Sequence, residues 1–283
     1  MTAHFWQNRR DAMPIAPTPP DVREIIVSSL DELVEAVTPP APDPQTGRFR
    51  DTGVYRGTHD PDLPLLTSLD RFGGIHPPHT KADLEEHILR NFIRYSRPYV
   101  PATAVDEWEL LVTAQHHGVP TRLLDWTYSP LVAAYFATRD HRVDRDRVVW
   151  RLDWQRVHRA FGFPPLALLV TDLAASLARR GPFTPWRLFG GEFDRAFACM
   201  LEPPSIDARI VAQAAAFTLC SDKSQPLDAF LAGHGLADAL TRFRVPAAHV
   251  ARLRDQLEIA AVDERRLFPD LDGVAAAIRR YYA

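Results

Sequence analysis

Apolar residues recur along this chain in two rhythms, and each marks a different kind of element. In KADLEEHILRNFIRYSR, residues 81–97, they fall at Leu84, Ile88, Phe92 and Tyr95, the spacing that gives a helix one apolar stripe. AVDEWELLVTAQHH, residues 104–117, repeats the rhythm and predicts a second helix. REIIVSSLDELVEAV reads as a short strand followed by a helix, with Ser28 or Ser29 as N-cap and Asp31 and Glu32 in the first turn. Short strands are expected at TGVYRG (52–57), TRLLD (121–125), RVVWRLD (147–153), RAFACMLEP (195–203), AAFTLC (215–220) and LTRFRVP (240–246). Ser129 followed by Pro130 is a strong start for the helix PLVAAYFATR. Residues 154–190 predict two or three helical pieces broken by prolines, and SIDARIVAQ (205–213) one or two helical turns. The tail 247–283 reads as helical with an interruption at LFPDLDG.

Prolines cluster at residues 14–20 and 38–45, where they disfavour helix. Residues 1–22 are therefore expected to be a flexible Pro-rich tail, and 23–283 a single compact domain with a helical C-terminal part. Strands and helices intersperse without regular βα alternation or a fixed-period repeat. The expected class is α+β, with a mixed or antiparallel sheet surrounded by helices.

Composition narrows the function classes. Of the 283 residues, 46% are apolar and 24% charged, the balance of a globular protein. A formal net charge of −3 argues against a broad electrostatic grip on duplex nucleic acid and confines any polyanion site to a local patch. Cys199 and Cys220 are too few for a disulfide framework and lack zinc-ligand spacing, so both are expected as free buried thiols. The N-terminus lacks signal-peptide features, and the longest apolar run, FPPLALLVTDLAASLA, is broken by Asp172; a cytoplasmic protein without membrane contact is expected. GxSxG, HExxH, GxxxxGK[ST] and GxGxxG are all missing from the sequence. HPPH at 76–79 reads as a loop, and no metal is expected.

The densest chemistry lies in QHHGVPTRLLDWTYSP, residues 115–130. Gly118 and Pro120 predict a tight, rigid connection from helix to strand. Arg122 and Asp125 are three apart, so an extended strand sends them to opposite faces while a tightened turn lets them pair. The helix beginning at Pro130 offers a partly positive N-terminus that, with Arg122, suits an anion. Upstream, Arg56 ends a strand beside Gly57, which admits close approach of backbone or ligand, and its planar guanidinium suits bidentate phosphate recognition. Bland alternatives stand beside each: Arg56 as a structural cation, Arg122 and Asp125 as an internal pair, His116 as a hydrogen-bonded structural histidine, and Trp126 as core rather than a stacking platform. Gln213 falls where helix gives way to strand, a place where an amide commonly ties down a loop.

Taken together, Tyr55-Arg56-Gly57, PLLTSL (64–69), QHHGVPTRLLDWTYSPLVAAYFA (115–137), PPSIDARIVAQAAAFTL (203–219) and LFPDLDGVA (267–275) resemble the FRG domain family in order and separation, over residues 24–280. The resemblance implies an ADP-ribosyltransferase-like fold, NAD as substrate, and a setting among bacterial toxins or phage-defence effectors. It further implies that Tyr55, Arg56, Gly57, Arg122 and Trp126 hold the nucleotide, that His116 orients it, and that Asp125 or Gln213 faces the ribose. The acceptor would be protein, nucleic acid or a small molecule. The sequence departs from the better-known transferases in lacking Glu-x-Glu at the third motif, where Gln213 stands. Asp125, Glu192 and Glu202 all remain open as the source of negative charge, and a non-catalytic nucleotide-sensing module is the rival expectation.

Overall fold

The computed structural model describes residues 21–72, 78–99, 107–139, 144–169, 172–173, 196–203 and 207–282. The proline cluster at 14–20, His76 of the HPPH pair and Glu192 lie outside them. Seven strands, β1 (Arg23–Ile26), β2 (Val54–Thr58), β3 (Leu123–Thr127), β4 (Arg147–Leu152), β5 (Ala198–Leu201), β6 (Ala215–Cys220) and β7 (Leu240–Val245), form one sheet in the order β1-β7-β4-β2-β3-β6-β5. Only β1 and β7 run parallel; every other neighbouring pair is antiparallel. The class is α+β with a mixed sheet, as the interspersed pattern predicts.

Period-two alternation divides the strands between two cores. Val54, Leu124, Trp126, Val148, Trp150 and Leu152 point into one, covered by α2 (Lys81–Ser96), α3 (Glu107–His116), α5 (Trp154–Phe161) and α7 (Leu227–Gly233). Tyr55, Val149, Phe243 and Val245 point into the other, beneath α1 (Leu30–Val37), α4 (Pro130–Thr138) and α8 (Ala247–Ile259). The remaining described helices are α6 (Ala208–Ala212), α9 (Glu264–Leu267) and α10 (Leu271–Tyr281).

Local chemistry sets the helix starts. Ser29 rather than Ser28 caps α1, accepting from the Glu32 amide at 3.4 Å, while the Glu32 carboxylate takes the Ser28 amide at 2.7 Å. Thr80 and Asp83 close a capping box on α2. Ser129 accepts from the Val132 amide at 3.3 Å with Pro130 at the first helical position. The pattern of apolar positions does not reveal α7: it is seven residues long, follows Pro226, and has no side-chain cap to mark its start. Its buried Leu227, Phe230 and Leu231 nevertheless form a helical stripe, and its buried Asp228 accepts the Leu65 amide at 3.0 Å, pinning the PLLTSL segment to α7.

Candidate functional site

The sheet parts between its two central strands. β2 pairs with β4 over five residues and β3 pairs with β6 over five, but β2 and β3 share a single register pair, Tyr55 with Thr127. Beyond that pair, backbone groups of β3 lose their ladder partners. One is recovered by a side chain: Arg56 Nη1 donates to the Asp125 carbonyl at 2.7 Å, spanning the gap. A cavity of about 320 Å³ opens there, at the lower end of the range of small-molecule pockets.

Three segments build most of its wall, and β2 with Arg56 and α4 with Phe136 complete it. Strand β3 turns the Asp125 carboxylate outward, with its side chain 57% exposed. Oδ1 accepts from Gln115 Nε2 at 2.9 Å, and Oδ2 lies 3.7 Å from Arg56 Nη1. Gln115 is itself held, accepting from Thr121 Oγ1 at 2.5 Å. The end of α3 is fixed by a left-handed glycine: Gly118 has φ +79°, its amide reaches the Gln115 carbonyl and the Val119 amide reaches that of Ala114, a Schellman closure. That closure delivers Gln115 and His116 to the cavity. His116 Nε2 is 3.5 Å from Asp207, and burial depresses its pKa, outweighing the attraction of Asp207, so the ring is neutral at neutral pH. Burial also lowers the Arg56 pKa to about 10, with Asp125 opposing the fall, which leaves the guanidinium cationic.

The third segment is α6 with the turn into β6. Gln213 closes that helix, followed by Ala214 at φ +46°. Its backbone carbonyl accepts from Thr127 Oγ1 at 2.7 Å, and its side-chain Nε2 donates to the Leu267 carbonyl at 3.0 Å. The amide thus ties the C-terminal segment to the cavity rim, as the loop-tying alternative expects, while still lining the hollow. Arg209 lines it too. Its guanidinium carbon sits 4.5 Å from the Phe268 ring centroid, and burial pulls its pKa down.

Three expectations need correcting, since Arg122, the α4 N-terminus and Glu202 do not line the cavity, while Tyr55, Gly57 and Trp126 line it and carry structural duties as well. Arg122 does not face the cavity: it is 2% exposed, on the opposite face of β3, with Nε 2.7 Å from Glu85 Oε2 and its backbone amide 2.8 Å from Oε1. It pairs with neither Asp125 nor a ligand, because strand geometry sends residues 122 and 125 apart. Trp126 borders the cavity but is 3% exposed, its indole N–H donating to Thr218 Oγ1 at 2.9 Å; it is core. The Tyr55 hydroxyl is engaged by Asp51, which also holds Arg151. Burial and that carboxylate raise its pKa, so it offers the ligand no free hydroxyl. Gly57 lines the cavity and is also needed for packing: an added Cβ would lie 2.0 Å from the Ala133 carbonyl oxygen of α4. The α4 N-terminus is capped by its own Ser129, and residues 129–132 do not line the cavity, so it is not the anion seat. Glu202 accepts from the Tyr128 hydroxyl at 2.5 Å outside the cavity.

Arg56, His116, Asp125 and Gln213 therefore converge, and Gln115, Arg209, Phe136 and Phe217 join them without having been singled out. Residues 51–146 match the family model of the FRG domain. The chain contains an FRG domain. The match runs from the loop before β2 to the residue before β4 and takes in Arg56, Gln115, His116 and Asp125. Arg209 and Gln213, which also line the cavity, lie outside the matched stretch. No curated protein and no solved structure matches the chain. No helix among the described residues is long and apolar enough to cross a membrane. No group of three or more His, Cys, Asp or Glu side chains among them is placed to hold a metal ion.

Proposed function

We propose that the cleft between β2 and β3 binds NAD as a substrate and that the protein is an ADP-ribosyltransferase-like enzyme. The observation that carries this reading is the convergence of a cationic Arg56 and an outward-facing Asp125 carboxylate on one cavity, although 69 residues separate them. In this reading Arg56 holds the dinucleotide through a phosphate or ribose oxygen. Asp125 faces the ribose whose bond to nicotinamide breaks. That bond breaks through a cationic ribosyl centre, where fixed negative charge in a partly desolvated site lowers the barrier. Gln115 orients one Asp125 oxygen by a neutral hydrogen bond. Arg56, 3.7 Å from the other oxygen, is the cation that offsets part of the carboxylate's charge until it turns to the ligand. Neutral His116 serves as a hydrogen-bonding group at the rim.

A second reading is favoured by Gln213. An amide there contributes no charge to a ribosyl cation, and one of its two N–H donors is already committed to Leu267. A nucleotide sensor that does not turn NAD over fits that feature. Incubating the protein with NAD, alone and in cell lysate supplying acceptors, separates the two. Nicotinamide release that Asp125→Asn abolishes supports the transferase; NAD binding without release in either setting supports the sensor; no binding overturns both.

A further inference from the structure

Among the described residues Arg209 is a cation without an ion-pair partner. Its guanidinium makes no hydrogen bond and no ion pair among the described residues, and its Nε is buried with no acceptor. What holds it is the face of Phe268 at 4.5 Å, a seat that orients a guanidinium and leaves its edge free. Asp125, Asp207 and Asp270 act on it at longer range, with Arg139 opposing them, and none comes within ion-pair distance. Partly burying an unpaired charge is costly unless something is gained from it. Arg209 lines the same cavity as Arg56. The two enter from different sides of β3: Arg56 from β2, and Arg209 from α6, which leads into β6.

Building on the reading of this cleft as a nucleotide site, we propose that Arg209 is its second anion-binding arm and that the ligand carries a diphosphate spanning Arg56 and Arg209. A nucleoside diphosphate unit is the class of ligand that fits: one phosphate for each guanidinium, and apolar wall from Phe136, Ile210 and Phe217 for the remainder. Phe268, by seating Arg209, is a positioning residue.

The test is calorimetric titration of the full chain with ADP-ribose, ADP, AMP and pyrophosphate, in wild type, Arg209→Gln, Arg209→Lys and Arg56→Gln. Wild type is expected to prefer ADP to AMP by about tenfold or more, the effect of one charge-assisted contact. In Arg209→Gln that preference collapses toward unity, with the ligand-free melting temperature unchanged or raised because a costly unpaired charge is removed; Arg209→Lys restores part of the preference. Phe268→Leu weakens ADP more than AMP. If Arg56→Gln loses ADP while Arg209→Gln binds it like wild type, the second arm is wrong and the nucleotide reading survives. If wild type binds none of the probes, both fall. Pyrophosphate binding as tightly as ADP would overturn the assignment of a nucleoside.

Discussion

Replacing Gly57 by alanine adds one methyl group to β2 and tests how the sheet and α4 are fitted together. The new Cβ would stand 2.0 Å from the Ala133 carbonyl oxygen and 2.4 Å from the Ala137 nitrogen. The first falls about 1.4 Å short of an ordinary 3.4 Å contact. Both obstacles are helix backbone, so no side-chain rotation relieves the overlap and α4 must shift bodily. Ala133, Ala134 and Ala137 are fully buried, so the shift disturbs packing on the helix face against the sheet. Overpacking of this kind costs about 3 kcal/mol, the upper end of its usual range, and the smaller conformational loss of alanine returns about 0.5–1 kcal/mol. The net destabilisation of roughly 2 kcal/mol lowers the melting temperature by about 4–8 °C. Urea denaturation followed by circular dichroism reads the same loss as a lower midpoint at unchanged slope. Because α4 carries Phe136 into the cavity, nucleotide affinity falls as well. A Gly57→Ala protein as stable as wild type, within about 0.5 kcal/mol, would refute the close approach of α4 to β2.

Three other outcomes are expected. Arg122→Met strands the Glu85 carboxylate in the core and costs about 3–5 kcal/mol, while Arg122→Met with Glu85→Leu regains most of it; chemical denaturation of both variants checks the pair, and a neutral single variant would contradict it. His158 is buried and held neutral, with Nδ1 at 3.0 Å from the Pro164 carbonyl and Nε2 accepting the Met200 amide at 2.8 Å, and burial depresses its pKa. Below about pH 6.5 the unfolded chain takes up a proton that the folded chain refuses, so stability falls with pH by up to about 1.4 kcal/mol per unit. His158→Gln flattens that slope between pH 6.5 and 5.5, leaving the part of the same sign due to His116; an unaltered slope would rule the site out. Asp125→Asn is expected to cut nicotinamide release from NAD by at least about a hundredfold while changing NAD affinity only a few-fold, measured by single-turnover kinetics and calorimetry.

What could be read from the sequence follows from how local the causes are. Caps at Ser29, Thr80 and Ser129 act within four residues, and the alternation of Val148, Val149 and Trp150 places each side chain on its face without knowledge of the partner strand. The same alternation separates Arg122 from Asp125, yet it says nothing of Glu85, which reaches Arg122 from a helix 37 residues away. Arg56 was legible because it sits in a short motif beside a glycine. The reason for that glycine was not, since it lies in the backbone of α4. A lone arginine in a short helix carries no sequence signal; the meaning of Arg209 comes from Phe268, 59 positions later, and from the lack of an acidic group within ion-pair distance among the described residues. Gln115 opens the densest block of the sequence, but a neutral amide beside charged neighbours carries no signal there that it orients Asp125.

The most direct test of a ligand seat at the parting of β2 and β3 is a crystal structure of the chain grown with ADP-ribose. The ligand should occupy the cavity with a phosphate or ribose oxygen within hydrogen-bond distance of Arg56 and the ribose facing Asp125. Density for it elsewhere on the molecule, with this cavity holding only water at saturating ligand, would contradict that seat.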